Sequence, residues 1–166
     1  MKELNLSDIR IDGGTQARVK LNQDKVKLYA EQLREGDTFP ASIVYHDGSN
    51  YWLADGFHRY FAAKKVGSPG IDCDVREGTR RDAVLFSYSA NPDHGLRRTA
   101  ADKRKVVTGM LLDIEWQEWS DRTIAKHCNV SHTLVAAIRK ELGAEKKQTT
   151  YKKGDKIVTQ IGRAHV

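Results

Sequence analysis

Residues that cross-link or interrupt a chain are scarce in this sequence. Only two of its 166 residues are cysteines and three are prolines. Cys73 and Cys128 lie far apart and form no Cys-x-x-Cys pair, so the sequence predicts two free thiols in a reducing compartment rather than a disulfide framework. No apolar run reaches the length of a membrane span, and no hydrophobic signal segment begins the chain. These absences predict a cytoplasmic protein with no membrane partner.

Charge is plentiful but unevenly distributed. Residues 1–90 hold 13 Lys and Arg against 13 Asp and Glu, whereas residues 91–166 hold 15 against 9 and carry the whole net charge of +6. A hydrophobic content of 39% supports a core, and few prolines beside 30% charged residues argue against disorder. The asymmetry predicts a neutral domain joined to a basic module for a polyanion; the alternative is a solvated basic face.

The stretch Asp55-Gly56-Phe57-His58-Arg59 joins an alternating strand to an apolar helix that stops at Gly67. A strand-to-helix turn presents free backbone N–H groups and the positive end of a helix dipole, which together suit an anion. Gly56 lets the backbone approach a ligand closely, and Arg59 can fork onto phosphate oxygens. The alternative is a turn glycine followed by two surface cations, since Gly-x-His-Arg alone is a short motif.

Strands and helices interleave through residues 1–90, which predicts a mixed α+β or α/β domain. The expected elements are a strand in Leu4–Asp12 around Ile9 and Ile11, a helix capped by Asn22 and closed by Gly36, a hairpin turning at Asp47–Asn50, the helix after Gly56, a strand at Ile71–Val75 and a helix starting at Thr79.

The basic half is predicted to be helical. A helix capped by Thr99 has an apolar face made of Val106, Val107, Met110, Leu111 and Ile114, and it ends near Trp116 and Trp119.

A helix-turn-helix pattern follows in residues 120–142. Ala125 allows two helices to cross closely, Asn129 tolerates the left-handed turn, and Ser131 caps the second helix. The second helix is predicted to expose His132, Thr133, Ala136, Ala137, Arg139 and Lys140. We predict double-stranded DNA as the partner, contacted by Arg122, Ser131, His132, Thr133, Ala136, Arg139 and Lys140. The alternative is a helical hairpin that serves as a lid or dimer contact.

With both halves considered, the stretch from Leu53 to Lys64 resembles the Gly-x-x-Arg box of the ParB and sulfiredoxin superfamily, and a helix-turn-helix some sixty residues later matches the ParB branch. The resemblance implies a small mixed α/β nucleotide-binding domain in residues 1–90, followed by an all-helical helix-turn-helix domain in residues 91–145. The nucleotide, CTP or ATP with magnesium, would be held by Thr15, Gln16, Arg18, Asp55, Gly56, His58, Arg59, Asn91 and Arg98, and Asn91 would also bind the magnesium ion.

The resemblance further implies a bacterial protein for partition or transcriptional regulation on a plasmid, phage or chromosome, which is associated with the nucleoid or a plasmid and forms a homodimer. Phe57 and His58 stand where sulfiredoxins have their catalytic cysteine, which argues against sulfinic acid reduction. Ala90 stands where a glutamate would precede Asn91, so any nucleotide hydrolysis would be slow. A nuclease, a nucleoside triphosphatase, a small-molecule kinase and a plain repressor that ignores nucleotide are the alternatives.

The end of the chain differs in character from the two predicted domains. Residues 146–159 form a basic tail, and residues 160–166 match the in-frame translation of a common sequencing adapter. We interpret the last seven residues as non-native and leave them out of the fold prediction.

Overall fold

The structure is a computed structural model that describes residues 1–90 and 96–143, together with the backbone of two later strands. The chain divides into two compact units, residues 1–90 and residues 91–166. The predicted α+β class is confirmed. Within the described ranges, no helix is both long and apolar enough to cross a membrane.

The N-terminal unit is built on a five-stranded mixed sheet. Its strands are β1 (Lys2–Asn5), β2 (Ile9–Arg10), β3 (Ser42–His46), β4 (Tyr51–Asp55) and β5 (Gly70–Glu77). Their order across the sheet is β1-β5-β3-β4-β2. Strands β3 and β4 form the predicted antiparallel hairpin, whereas β3 runs parallel to β5 and β2 parallel to β4.

The prediction of a single strand in Leu4–Asp12 is wrong. A 3-10 turn at Leu6–Asp8 divides it into β1 and β2, which pair at opposite edges of the sheet. The Leu6 N–H donates to the Pro69 carbonyl oxygen at 2.9 Å, so the start of the 3-10 turn is held against the residue that precedes β5. A turn this short can bridge both edges only if the sheet curls strongly, which local alternation does not reveal.

This unit has three helices, α1 (Gln23–Glu35), α2 (Phe57–Lys65) and α3 (Arg80–Ser89), of which α2 and α3 pack on the sheet and α1 packs on α2. The predicted caps are confirmed, because the Asn22 side chain accepts from the Lys25 N–H and Thr79 forms a capping box with Asp82. The core beneath them includes Leu4, Ile9, Val44, Leu53, Phe57, Tyr60 and Cys73. A second cluster, Val26, Ala30 and Ala62, packs α1 against α2.

The described part of the C-terminal unit between residues 96 and 143 is helical. It contains α4 (Ala100–Leu112), a 3-10 turn (Trp116–Glu118), α5 (Asp121–Cys128) and α6 (His132–Glu141). Buried apolar residues form its core: Val106, Val107, Met110, Leu111, Trp116, Ile124, Cys128, Val135 and Ile138.

The placement of Ile114 on the apolar face of α4 is wrong, because Ile114 is exposed. The helix ends at Leu112, and the Asp113 carboxylate accepts from the N–H groups of Glu115 and Trp116. Because the chain turns at Asp113, Trp116 rather than Ile114 is buried in the core.

Part of the expected basic tail is paired. Strands β6 (Thr149–Lys153) and β7 (Lys156–Gln160) form an antiparallel two-stranded sheet. Residues 161–166 lie outside the described part of the chain.

Candidate nucleotide and nucleic-acid sites

The turn at Gly56 has a conformation and a packing that favour glycine. Its φ is +105°, in the left-handed region, and α2 begins at the next residue. A Cβ atom at this position would lie 2.4 Å from Oγ and 2.9 Å from Cβ of Ser42. Strand β3 therefore packs directly against the turn, and the first N–H groups of α2 lack partners inside the helix.

His58 joins the N-terminus of α2 to that of α1. Its Nε2 atom accepts from the Asn22 N–H at 3.1 Å, and Asn22 is the N-cap of α1. The positive ends of two helix dipoles therefore meet at this point, although 36 residues separate Asn22 from His58 along the chain. An anion placed here would face backbone N–H groups from both helices.

The surroundings of His58 are positively charged. Burial, and after it the charges of Arg18 and Lys25, lower the pKa of His58 to about 4, and Asp55 opposes this shift. His58 is therefore neutral near pH 7, in agreement with its role as acceptor. Sequence reasoning missed Lys25. The sequence does contain a sign of its role: Lys25 is a cation in the first turn of a helix, a position where the helix dipole disfavours positive charge.

The predicted segment Thr15–Arg18 is held against β4. The Thr15 side chain is buried and its hydroxyl donates to the Leu53 carbonyl oxygen. The Gln16 side chain accepts from the Arg18 N–H at 3.1 Å. The structure thus brings Arg18 close to His58, while the Thr15 hydroxyl is engaged inside the fold.

Arg59 braces the loop before β3. Its guanidinium donates to the carbonyl oxygens of Pro40 and Ala41, the latter at 3.0 Å, and to Asp55 Oδ2 at 3.2 Å. Both predicted site residues, Asp55 and Arg59, are therefore paired with each other beside Gly56. Arg59 lies at the site, but most of its donors are committed to the protein.

The third predicted segment is only partly described. Asn91, with its predicted magnesium ion, lies outside the described residues. Arg98 belongs to the C-terminal unit, where it donates to the Cys128 carbonyl oxygen at 3.4 Å. In the described ranges no group of three His, Cys, Asp or Glu side chains is arranged to hold a metal ion.

Both cysteines are buried. Desolvation raises the pKa of Cys73 to about 11 and that of Cys128 to about 12. Both groups are thiols near pH 7, whereas the thiolate is the nucleophilic form of cysteine.

Helices α5 and α6 are joined by a tight turn. Asn129 takes the predicted left-handed conformation, with φ of +55°, and the Ser131 side chain accepts from the Leu134 N–H to cap α6. The exposed residues of the pair include the predicted positions Arg122, Ser131, His132, Thr133 and Lys140.

Ala136 and Arg139 are buried, so their predicted exposure is wrong. The Arg139 guanidinium donates to Asp121 Oδ1 at 2.9 Å and to the carbonyl oxygens of Gln117 and Trp119 at 2.9 and 3.0 Å. Arg139 holds the turn before α5 against α6. The buried face of α6 is therefore wider than its apolar residues alone indicate.

Two curated proteins have sequences similar to this one. The transcriptional regulator NovG of Streptomyces niveus is 33% identical over 107 residues, which are 64% of this chain and 33% of that protein. The chloroplastic and mitochondrial sulfiredoxin of Arabidopsis thaliana is 38% identical over 60 residues, which are 36% of this chain and 47% of that protein. The chain thus spans less than half the length of either relative.

A solved structure has a similar fold. It is the C-terminally truncated chromosome-partitioning protein ParB from Caulobacter crescentus, complexed to the centromeric parS site. The TM-score is 0.58 at 14% identity, and the alignment covers 86% of this chain and 72% of that one. No family model matches the chain.

Proposed function

We propose that the chain is a ParB-like DNA-binding protein of the ParB/sulfiredoxin superfamily and that its N-terminal unit binds a nucleoside triphosphate; the similarity to a transcriptional regulator, to a sulfiredoxin and to the ParB fold supports this. The observation that carries the nucleotide proposal is the meeting of the α1 and α2 N-termini at the His58–Asn22 hydrogen bond. Backbone N–H groups of both helices, with Arg18 and Lys25 beside them, fit the oxygens and the charge of a polyphosphate. CTP and ATP, each with magnesium, are the nucleotides proposed.

The DNA proposal rests on the exposed end of α6. His132 and Thr133 lie in its first turn and suit base edges, whereas Lys140 in its last turn and Arg122 at the start of α5 suit phosphates. The excess of positive charge in residues 91–166 supports a polyanionic partner. Ala136 and Arg139 are left out of this interface because both are buried.

We propose transcriptional regulation as the role, in a cytoplasmic homodimer that binds two DNA half-sites. The 33% identity to a transcriptional regulator supports this over partition, for which the support is a likeness of fold at 14% identity. An association with the nucleoid or a plasmid follows from either role.

The nucleotide site is tested by calorimetry with CTP, ATP, GTP and UTP, with and without magnesium. Arg18→Gln should weaken the preferred nucleotide by about 1.5–3 kcal/mol, the scale of a lost charge-assisted hydrogen bond. Lys27→Gln is the matched control, because Lys27 is an exposed cation on the same unit and its loss should change affinity little. If the wild type and Arg18→Gln bind the nucleotide with equal affinity, the phosphates do not bind at this site.

The same calorimetry samples show whether the protein is an enzyme. Phosphate release at many turnovers per second, or cleavage of added DNA, would favour the nucleoside triphosphatase or nuclease alternatives over a binding protein. Transfer of phosphate to an added small molecule would favour the kinase.

The DNA interface is tested by mobility shifts at several salt concentrations on duplexes selected with the wild type. Thr133→Ala should change sequence preference with a modest loss of affinity. Lys140→Ala should weaken all sequences alike and reduce the salt slope by about one unit. If neither substitution alters binding, α6 does not enter the groove and the basic half serves another partner.

A further inference from the structure

The bond between Asn22 and His58 occupies the place where an anion would bind. The Asn22 N–H belongs to the free N-terminal end of α1, and an imidazole nitrogen accepts from it at 3.1 Å. A ring nitrogen can accept only while it carries no proton. The neutral ring therefore stands in for a phosphate oxygen at this N–H.

We propose that this hydrogen bond is a latch that a bound phosphate opens, with His58 taking up a proton and changing from acceptor to donor. The proposal rests on the proposed nucleotide site and names how that site is regulated. A hydronium ion of the solvent gives up the proton, which adds to the lone pair of Nε2; the hydrogen bond from the Asn22 N–H breaks, and no other covalent bond forms or breaks. Protonated Nε2 and the Asn22 N–H are then two donors that one anionic oxygen can accept.

Burial of the ring, and after it the charged groups that act on His58, explain why the latch is closed without ligand. Arg18 precedes α1, Lys25 lies in its first turn, and Arg59 follows on α2, while Asp55 at the end of β4 is the opposing charge. Three cations against one carboxylate disfavour a charged ring. A polyphosphate brings several negative charges among the same cations, so it reverses the sign of the local field and raises the pKa of His58.

The consequence is a pH dependence of binding with a defined sign. A ligand that raises the pKa of His58 binds more tightly as pH falls from the pKa of the bound state towards that of the free state, about 4. In that window the affinity rises by up to about tenfold per pH unit, the limit for uptake of one proton. A neutral ligand has no such dependence and leaves the latch closed.

The test follows the His58 ring and the Asn22 amide by NMR on the isotopically labelled full chain. Sulfate is the first probe, because it remains a dianion throughout the titration and every proton taken up belongs to the protein; CTP is the second. Both probes should shift the Asn22 amide and raise the titration midpoint of His58 by about one pH unit or more. The ring signals should also report a change from the neutral to the charged form.

Two variants separate the latch from simple binding. Lys25→Gln should raise the His58 midpoint in the free protein, because one of the opposing cations is gone, whereas Lys27→Gln on the exposed side of α1 should leave it unchanged. His58→Asn keeps an acceptor for the Asn22 N–H but takes up no proton. CTP affinity in this variant should lose the part of its pH dependence that is not due to the phosphates themselves.

The outcomes distinguish the two proposals. If CTP and sulfate shift the Asn22 amide while the His58 midpoint stays near 4, the site binds anions and the latch is refuted. The same holds if His58→Asn retains the full pH dependence of the wild type. If neither probe perturbs Asn22 or the first turn of α2 at any pH, the nucleotide site fails and the latch fails with it.

Discussion

Each of the two units contains an arginine that ties a loop to a helix through the same kinds of acceptor. Arg59 in the N-terminal unit donates to two backbone carbonyl oxygens and to Asp55. Arg139 in the C-terminal unit donates to two backbone carbonyl oxygens and to Asp121. From the sequence both were expected to contact phosphate, because a basic residue in a binding motif is usually assigned to the ligand.

Exposure separates the two arginines. The side chains of Arg139 and Asp121 are 8% and 14% exposed, whereas those of Arg59 and Asp55 are 19% and 38% exposed. Arg139 is therefore a structural residue of the helical unit. Arg59 braces a loop too, but it does so at the rim of a positively charged site. The comparison shows that a motif alone does not distinguish a structural arginine from one that binds a ligand. The distinction depends on how many of its N–H groups already have partners in the protein and on how exposed its side chain is.

The largest effect is expected for Arg139→Ala. It leaves the nearly buried Asp121 without this ion pair and removes the donors to the Gln117 and Trp119 carbonyl oxygens. Breaking a buried pair from one side destabilises a protein by about 3–5 kcal/mol. Urea unfolding of the full chain, followed by the fluorescence of Trp116 and Trp119 in the same unit, measures the loss.

Lys140→Ala is the control for Arg139→Ala, because Lys140 is the exposed neighbour on α6. Its effect on the free energy of unfolding should stay within about 0.5 kcal/mol. A DNA-binding defect in Arg139→Ala with unchanged unfolding would break the comparison and return Arg139 to the interface.

A middle effect is expected for Gly56→Ala, with Gly36→Ala as its control. Both glycines have left-handed φ values, +105° and +92°, but a Cβ at 56 would clash with Ser42 whereas one at 36 meets nothing within 4 Å. We expect a destabilisation of about 1 kcal/mol at 36 and about 2–4 kcal/mol at 56, where crowding adds to strain. Thermal unfolding of both variants gives the difference. Equal losses would mean that β3 moves away from the turn at little cost.

The smallest effect on stability is expected for Arg59→Gln. The hydrogen bonds of Arg59 to Pro40 and Ala41 are lost, but its ion pair is partly solvated, so the loss should be about 1–2 kcal/mol. Urea unfolding and CTP calorimetry are measured on the same preparation. If Arg59→Gln loses nucleotide binding but keeps its full stability, Arg59 binds the ligand and does not have the structural role of Arg139.

Local features of the fold were predictable from the sequence, and long-range ones were not. The caps at Asn22, Thr79, Thr99 and Ser131 depend on neighbours three residues away, and all four are observed. The left-handed turn at Asn129 depends on one residue type. The division of Leu4–Asp12 into two strands depends instead on partners in β4 and β5, which alternation of residues cannot indicate.

The candidate site shows the same limit. The strand-to-helix turn at Gly56 was predictable because the motif, the strand and the helix are contiguous. The contribution of Lys25 and the bond from Asn22 to His58 were not, because α1 and α2 are brought together by the tertiary packing of residues far apart in the sequence. The burial of Arg139 was missed for a related reason: its carboxylate partner is the first residue of α5 and its carbonyl partners lie in the turn before α5, so none of them is on α6.

The placement of β1 has a consequence for the order of events during synthesis. Strand β1 leaves the ribosome before the other strands of the sheet, yet Lys2 pairs with Cys73 and Asn5 with Gly70 on β5, the last of these strands in the sequence. The β3–β4 hairpin and the helices between can form while β1 is still without a partner. Strand β1 is thus among the last parts of the sheet to be fixed, and until then the edge of β5 that β1 will cover is open to pairing with another nascent chain.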